Sequence, residues 1–332
     1  MYFSFIVPVY NRPDEVDELL ESLTKFTSNI PFEVVIIEDG STIPCHSIIE
    51  KYSHKLTISY FFKPNSGPGD SRNFGMQNAK GDYFIILDSD CIIPSDYLIH
   101  VQKSLEVEYV DCFGGPDAAL DSFSDIQKAI NFTMTSFLTT GGIRGGSEKV
   151  DKFQPRSFNM GLSKNAFEAS NGFGNIHPGE DPDLSIRLWN LGFRTKLIKE
   201  AFVYHKRRIS WEKFQIQVNK FGKARPILNS WYPQHTKITF WFPSLFLFGF
   251  VVSVLLTFVK FPYFLGLYVL YFGLLFGSSL LMNKSFKIAA YSVYAAIIQF
   301  YGYGKGFLLS FYKIFVLKLE PQKAFPELFF KK

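Results

Sequence analysis

Two long stretches without a charged residue constrain this chain most strongly. No Asp, Glu, Lys or Arg occurs from Ile238 to Val259 or from Phe261 to Asn283, and Lys260 alone separates the two stretches. A helix rises about 1.5 Å per residue, so each stretch is long enough to cross a hydrocarbon layer of about 30 Å. A helix in a soluble core is normally shorter and apolar on one face. The sequence therefore predicts transmembrane helices at 238–259 and 261–283.

A third apolar stretch, from Ile288 to Gly304, is shorter and runs into Lys305, Lys313 and Lys318. Such a segment can be a third transmembrane helix with a basic flank, or an amphipathic helix that lies on the membrane surface. The sequence leaves both interpretations open for 288–318. Residues 319–332 are then interpreted as a C-terminal tail.

Charge and cysteine content indicate the compartment. Lys and Arg residues cluster between Arg194 and Lys237, just ahead of the first apolar stretch, and a positive flank predicts that this side faces the cytoplasm. The same charge could bind nucleic acid, but no recognised nucleic-acid-binding motif accompanies it, so nucleic acid is not an expected partner. The three cysteines form no Cys-x-x-Cys pair, which favours a reduced, cytosolic setting over a disulfide framework or a zinc site.

Strand and helix patterns alternate along the first part of the chain, interpreted as one domain over residues 1–232. Asn11 is the expected cap of the first helix, and Gly81 closes a later one. Alternation of this kind predicts an α/β fold whose mostly parallel sheet binds a nucleotide-sized ligand at the carboxyl ends of its strands. The predicted strands are 2–9, 32–37, 56–62 and 83–87.

The triplet Asp88-Ser89-Asp90 ends the last of these strands. Alternate residues of a strand point to opposite faces, so the two carboxylates can face the same way. Mg²⁺ and Mn²⁺ prefer oxygen ligands and often share them with substrate phosphates. A solvated turn is the ordinary interpretation of an isolated Asp-x-Asp, but its position at a strand end favours a metal site.

Other polar residues follow the neighbouring strands. Asp39 can accept from the imide N–H of a uracil or a similar base edge, or it can simply cap the turn at Gly40. Arg72 can neutralise a diphosphate, and Asn73 can donate to one. Together, these side chains would surround a base, a ribose, a diphosphate and a metal ion in one crevice.

The order and spacing of these motifs resemble the family 2 glycosyltransferases of the GT-A fold. The resemblance covers most of residues 1–210. Ser71 replaces a frequent Ala, and no Gln-x-x-Arg-Trp follows the acidic pair, which makes processive synthases poorer models. The resemblance is carried by Phe5-Ile6-Val7-Pro8-Val9-Tyr10-Asn11, Glu38-Asp39-Gly40-Ser41, Ser71-Arg72-Asn73, Asp88-Ser89-Asp90, Gly179-Glu180-Asp181 and Val203-Tyr204-His205.

The resemblance implies a GT-A catalytic domain, which is a Rossmann-like mixed sheet, and inverting transfer from a nucleotide sugar, expected to be UDP-linked. Asp181 is implied as the base that takes the acceptor proton, and we expect it to precede a helix that begins at Pro182. Glu180 is its rival, and either acid could cap that helix. A Mn²⁺ or Mg²⁺ ion would be held by Asp90, with Asp88 and His205. Contacts to the nucleotide sugar are assigned to Pro8, Tyr10, Asn11, Asp39, Arg72, Asn73, Asp88 and Ser89.

Several functions remain compatible with the sequence. The favoured one is a glycosyltransferase at the cytosolic face of the inner membrane that extends a lipid-linked glycan of a surface polysaccharide or glycoconjugate. A polyprenyl-phosphate glycosyltransferase is the nearest enzymatic alternative. A non-catalytic scaffold subunit would be expected to lack some of the acidic residues. A glycoside hydrolase also uses paired acids, but the nucleotide-type crevice argues against it.

Overall fold

The computed structural model describes residues 1–118, 123–141, 153–206 and 210–330. Arg207 and Arg208 of the basic cluster therefore lie outside the described residues. Most of 141–154, for which the sequence predicts a long polar loop, also lies outside them. The described residues form two compact units. We call them the sheet unit, within Met1–Ala118, Gly146–Lys206 and Phe329–Lys332, and the helical unit, within Ala119–Gly145 and Arg207–Leu328.

Strands and helices are numbered here in chain order. The first part contains β1 (Phe3–Val9), α1 (Pro13–Leu23), β2 (Phe32–Asp39), α2 (His46–Tyr52), β3 (Ile58–Lys63), α3 (Pro68–Asn78), β4 (Tyr83–Leu87), β5 (Cys91–Ile92), α4 (Tyr97–Val107), β6 (Cys112–Gly114) and β7 (Asp117–Ala118). It is followed by α5 (Asp125–Thr135), α6 (Phe137–Thr140), β8 (Asn159–Ser163), α7 (Lys164–Ser170), α8 (Glu180–Asn190), β9 (Thr195–Leu197) and β10 (Val203–His205). The last part contains α9 (Trp211–Trp231), α10 (Phe242–Phe258), α11 (Tyr263–Asn283), α12 (Phe286–Phe311) and α13 (Pro321–Ala324).

A seven-stranded mixed sheet organises the sheet unit, in the order β3-β2-β1-β4-β8-β6-β9. The first four strands in this order are parallel, β8 is antiparallel to both of its neighbours, and β9 is parallel to β6. Both faces of the central strands are buried, because Phe5 and Val7 pack in one hydrophobic cluster and Ile6 packs in another. The predicted α/β class with a mostly parallel sheet is confirmed, since four of the six strand pairs in this sheet are parallel.

The loop after β1 differs from the sequence prediction. Asn11 does not cap α1, since the N-cap position is Arg12 and no side chain caps this helix. Asn11 instead has a φ of 55°, and its Oδ1 accepts from the backbone N–H groups of Thr42 (2.8 Å) and Ile43 (3.0 Å). An Asn tolerates this left-handed conformation better than most residues. The prediction of a cap was wrong because the side chain joins the loops that follow β1 and β2.

The helix that carries the acidic pair begins earlier than predicted. Helix α8 begins at Glu180, and its N-cap is Gly179, whose φ is 133°. The predicted start at Pro182 and the predicted capping by Glu180 or Asp181 are therefore wrong. A positive φ favours glycine, which explains why a residue without a side chain occupies the cap. Both acids lie in the first turn, where the helix dipole favours negative charge.

The helical unit contains the apolar segments. Two of the described helical segments, Ile238–Phe258 and Tyr263–Asn283, are long and apolar enough to cross a membrane. The third apolar segment forms most of α12, which packs closely on α9. A Cβ at Gly222 of α9 would lie 2.2 Å from the carbonyl oxygen of Tyr303, and one at Gly306 would lie 2.3 Å from that of Asn219. Glycines therefore allow these two helices to approach each other.

Candidate active site

Asp39 ends β2 with its carboxylate almost fully buried. Its Oδ1 accepts from Lys63 Nζ at 2.6 Å and from the Ser66 N–H at 3.0 Å, and its Oδ2 accepts from the Gly67 N–H at 2.9 Å. The structure thus shows Asp39 holding the 65–67 loop, while contact with a base remains a prediction. Lys63 lies outside the motifs that point to the site in the sequence. The parallel register of β2 and β3 pairs Asp39 with Lys63, and this pairing is the feature that could have pointed to Lys63.

Arg72 links the strand-end acid to the acidic pair. Its side chain is 4% exposed, and it donates from Nη2 to Asp88 Oδ1 at 2.8 Å and from Nη1 to Glu180 Oε1 at 3.3 Å. The guanidinium also lies over the ring of Phe173. A buried cation between two carboxylates holds both acids in place. Of the residues predicted from sequence, these three are therefore directly connected.

The other predicted donor-site residues have varied surroundings. Both polar atoms of Asn73 bond the backbone of Phe173, at 2.9 Å to its carbonyl oxygen and 2.8 Å from its N–H. Ser89 is largely buried, and its hydroxyl lies 3.4 Å from Glu15 Oε2. Pro8 lies within β1, and Tyr10, just after that strand, is exposed. Contact of these residues with a nucleotide sugar remains a prediction.

A small second sheet brings the predicted metal ligands together. Its order is β5-β10-β7, and its register pairs His205 with Cys91 and Val203 with Asp117. His205 Nε2 lies 3.1 Å from Asp90 Oδ1 and 3.9 Å from Asp88 Oδ2. Residues more than a hundred positions apart in sequence thus face one another.

These residues fit a divalent cation. Among the described residues, the ligand atoms of Asp90, Cys91 and His205 lie within 4.8 Å of one another. The Cys91 thiol is directed to the carbonyl oxygen of Phe158 at 3.4 Å, so the better donor set is the imidazole with the carboxylates of Asp90 and Asp88. Oxygen donors with one imidazole suit Mn²⁺, and oxygen donors suit Mg²⁺.

Glu15, which the sequence analysis did not identify, borders this group. Burial, followed by the nearby charge of Asp90, raises the pKa of its carboxyl group above the ordinary value, although Arg12 and Lys206 oppose this shift. In the sequence, Glu15 is simply an acid in the first turn of α1, where the helix dipole favours negative charge at any helix. Only tertiary packing identifies it as a neighbour of Asp90.

The two acids of α8 have different partners. Glu180 Oε1 lies 2.7 Å from His177 Nδ1 and accepts from Arg72, whereas Glu180 Oε2 accepts from the Gly179 N–H at 2.9 Å. Asp181 accepts a hydrogen bond from the Ser157 hydroxyl. Its Oδ1 is buried and has no hydrogen-bond partner among the described residues. One carboxylate is therefore fully engaged, and the other keeps an acceptor oxygen available.

A turn before β8 contacts both halves of the site. Ser157 bonds Asp181, and the ring of Phe158 stacks on the His205 imidazole with centroids 4.7 Å apart and an interplanar angle of 17°. The backbone N–H of Asn159 closes this turn by donating to the Arg156 carbonyl oxygen at 3.0 Å. Neither Ser157 nor Phe158 belongs to a motif that points to the site in the sequence.

The geometry above agrees with comparisons to known proteins. The model of the family described as "Glycosyl transferase family 2" matches residues 4–169, which is half of the chain. The chain belongs to glycosyl transferase family 2. A model described as "Glycosyl transferase family group 2" also matches residues 157–298. The predicted family and enzyme class are thereby confirmed.

Curated relatives in this family match about a third of the chain. Poly(ribitol-phosphate) beta-N-acetylglucosaminyltransferase TarS of Staphylococcus aureus is 40% identical over 116 residues, which cover 33% of this chain and 20% of TarS. Chondroitin synthase of Pasteurella multocida is 37% identical over 99 residues, which cover 29% of this chain and 10% of that protein. The chain thus spans a fifth or less of the length of these relatives.

Solved structures support the family 2 fold over most of the chain. The mannosyltransferase PcManGT from Pyrobaculum calidifontis, in complex with GDP-Man and Mn²⁺, aligns with a TM-score of 0.61 at 14% identity, covering 90% of this chain and 86% of that one. TarS 1–349 of S. aureus, in complex with UDP-GlcNAc, aligns with a TM-score of 0.51 at 20% identity, covering 93% and 91%. The predicted GT-A fold is confirmed.

Proposed function

We propose that this chain is an inverting, metal-dependent glycosyltransferase that moves a sugar from a UDP-linked donor to a lipid-linked glycan acceptor near the membrane. The observation that carries the proposal is the buried Arg72, which ties Asp88 at the end of β4 to Glu180 of the acidic pair. This linkage joins the part of the site suited to the diphosphate to the part suited to the acceptor.

Departure of the diphosphate is the first chemical requirement. Transfer breaks the bond between the anomeric carbon and the diphosphate oxygen, and the electron pair stays on the leaving diphosphate. A divalent cation supplies a positive charge for this group when bound. Asp90, Asp88 and His205 would hold that cation, and the preorganised Arg72 adds a fixed positive charge in the same region.

Activation of the acceptor is the second requirement. The acceptor oxygen forms a new bond to the anomeric carbon from the opposite face, while a base removes its proton. Asp181 suits this role because its Oδ1 is buried and has no hydrogen-bond partner among the described residues. Burial and the adjacent Glu180 charge raise the pKa of Asp181, which makes it a stronger base than an exposed aspartate.

The relatives support the donor class. TarS 1–349 was solved with UDP-GlcNAc, and PcManGT was solved with GDP-Man and Mn²⁺. Of UDP and GDP, UDP agrees better with the sequence, because Asp39 is suggested to accept a hydrogen bond from the imide N–H of a uracil. The names of TarS and chondroitin synthase concern glycans and polyol phosphates, which supports a role in the synthesis of surface polysaccharides or glycoconjugates.

The apolar helices support a membrane-proximal acceptor. Helices α10 and α11 expose large apolar side chains, including Phe248, Leu255 and Leu267. Such a surface is suited to lipid. Together with the basic flank ahead of α10, this supports anchoring in the inner membrane with the sheet unit on the cytosolic side.

One experiment tests this function directly. Membranes that contain the full-length chain are incubated with Mn²⁺ and a panel of UDP- and GDP-sugars, and the lipid products are analysed by mass spectrometry. We expect one UDP-sugar to add a single sugar residue to a lipid-linked glycan, and the Asp90→Ala variant to add none. A polyprenyl-phosphate monosaccharide as the product would support the alternative acceptor. Equal products from wild type and Asp90→Ala would contradict the proposed function.

A further inference from the structure

The last described residues of the chain return to the sheet unit. Phe329 forms an isolated antiparallel bridge with Ile176, and the Phe330 N–H donates to the Asn175 carbonyl oxygen at 3.2 Å. Both phenylalanines belong to the sheet unit, although residues 207–328, just before them, belong to the helical unit. A short extended segment is thus added beside the loop that precedes α8.

The side chain of Phe330 packs on the backbone of Gly67. A Cβ built on Gly67 would lie 2.3 Å from Phe330 Cδ2 and 2.4 Å from Cγ, so a side chain at this position would collide with the ring. Gly67 also has a φ of 94°, which independently favours glycine. The ring centroid lies 5.9 Å from that of His177, with the two planes at 49°. Phe330 therefore contacts two different loops.

Each of these loops supports one functional carboxylate. Gly67 donates its backbone N–H to Asp39 Oδ2 at 2.9 Å. His177 Nδ1 lies 2.7 Å from Glu180 Oε1, and Glu180 in turn accepts from the buried Arg72. The ring of Phe330 thus contacts a neighbour of Asp39 on one loop and a neighbour of Glu180 on the other.

We propose that Phe330 is a positioning residue of the donor site, which holds the 65–67 loop and the 175–180 loop in the arrangement that binds the nucleotide. Its effect on donor binding rests on the function proposed above. A site whose loops are already ordered loses less conformational entropy when a ligand binds. The supporting residues around a site set this order. Without the ring, both loops gain freedom, and the donor must order them again.

The structural half of the proposal is tested without any ligand. Hydrogen exchange is measured by mass spectrometry on the full-length protein in detergent, for wild type, Phe330→Ala and the control Phe137→Ala, whose side chain is 77% exposed on α6. We expect exchange of the backbone amides at residues 65–67 and 175–180 to be about tenfold faster in Phe330→Ala, as expected for weakened local protection. Phe137→Ala should match wild type. Equal exchange of both segments in Phe330→Ala and wild type would overturn the proposal.

The functional half is tested with UDP as the probe, by calorimetry with Mn²⁺. We expect Phe330→Ala to raise the Kd about tenfold, which corresponds to about 1.4 kcal/mol, and Phe330→Tyr to restore most of the affinity. If Phe330→Ala does not fold, Phe330→Leu replaces it in both measurements. If the Kd of Phe330→Ala for UDP is unchanged, the donor-site role is overturned. A lower Kd also overturns it and would indicate that the Phe330 ring obstructs the site. A wild type that does not bind UDP would contradict the proposed function instead, and the exchange measurement would then decide the positioning role alone.

Discussion

Glu180 and Asp181 are adjacent in sequence, but their carboxylates have opposite electrostatic environments. Burial by itself would raise the pKa of Glu180, but the adjacent His177 and Arg72 outweigh it and lower that pKa. Burial and the charge of Glu180 raise the pKa of Asp181, and its Oδ1 has no hydrogen-bond partner among the described residues. The surroundings therefore favour the charged form of Glu180 within an ion-pair network and favour the protonated form of Asp181 more than in an ordinary aspartate.

This difference predicts the effect of removing the base. Asp181→Asn is nearly isosteric, and it should lower kcat by a factor of about 10² to 10⁴, the usual contribution of a general base. Binding of UDP should stay within a factor of about two, because the base acts on the acceptor and not on the donor. Product formation and calorimetric UDP binding measure the two effects. Normal turnover by Asp181→Asn would exclude it as the base.

Glu180 is expected to act mainly through stability. Glu180→Gln removes the negative partner that Arg72 Nη1 holds at 3.3 Å, although Arg72 keeps Asp88. We expect the free energy of unfolding to fall by about 1.5–3 kcal/mol, the range for a hydrogen bond to a charged group. Urea denaturation of the purified protein measures this change, with the exposed Glu168→Gln on α7 as the control.

The folded fraction of Glu180→Gln should retain more activity than that of Asp181→Asn. Activities are therefore compared per folded molecule, under conditions in which both variants are fully folded. A stable but inactive Glu180→Gln, together with a normally active Asp181→Asn, would reverse the two roles.

The pH dependence of transfer should report on Asp181 and its hydrogen-bond donor. As the proposed base, Asp181 would act only when deprotonated, so kcat/KM should fall as the pH drops through its raised pKa. The Ser157 hydroxyl stabilises the charged form, as do Arg72 and Arg156, whereas Glu180 opposes it. Ser157→Ala should therefore raise this pKa and move the acidic limb to higher pH. Ser157→Thr keeps a hydroxyl and should restore the wild-type profile. A limb that does not move in Ser157→Ala would contradict this assignment.

Metal dependence should follow from Asp90 and His205, whose ligand atoms lie 3.1 Å apart. EDTA should abolish transfer, and Mn²⁺ or Mg²⁺ should restore it. Asp90→Ala should lose most of its bound Mn²⁺ in an electron paramagnetic resonance titration, while its circular dichroism spectrum stays unchanged. Asp96→Ala, at an exposed aspartate before α4, should bind Mn²⁺ like wild type. Wild-type Mn²⁺ affinity in Asp90→Ala would exclude it as a ligand.

Membrane attachment should depend on the exposed apolar face of α10. Phe248 and Leu255 are 69% and 60% exposed, and an Arg placed in the middle of a transmembrane helix costs about 2.5–3.5 kcal/mol. The double variant Phe248→Arg/Leu255→Arg should therefore associate less with vesicles in a flotation assay. Val107→Arg, at a residue 80% exposed on α4, is the control. Equal flotation of the double variant and wild type would argue against a membrane-spanning α10.

Local patterns in the sequence were sufficient for much of the fold. The apolar run at Tyr83–Leu87 forms β4 with the predicted bounds, because a short buried strand needs little more than continuous apolar residues. The predicted apolar stripe of α1 is buried at Val16, Leu19, Leu20 and Leu23, as helical spacing predicts. Phe26, its last predicted member, lies beyond the end of the helix at Leu23 and is partly buried. The ends of elements were less predictable. β2 extends through Asp39, two residues beyond the predicted end, since pairing with β1 continues to Glu38 and pairing with β3 continues to Asp39.

The sequence by itself also determined which chemical groups are available, namely the acids, the cation and the imidazole of the candidate site. Only the tertiary structure decided their partners. Arg72 joins acids 16 and 108 positions away, and Phe330 packs on Gly67. Periodicity and local propensity describe interactions within a few residues, whereas these contacts depend on how distant elements pack. The same packing buries one oxygen of Asp181 and pairs Glu180, so two neighbouring acids acquire different proton affinities.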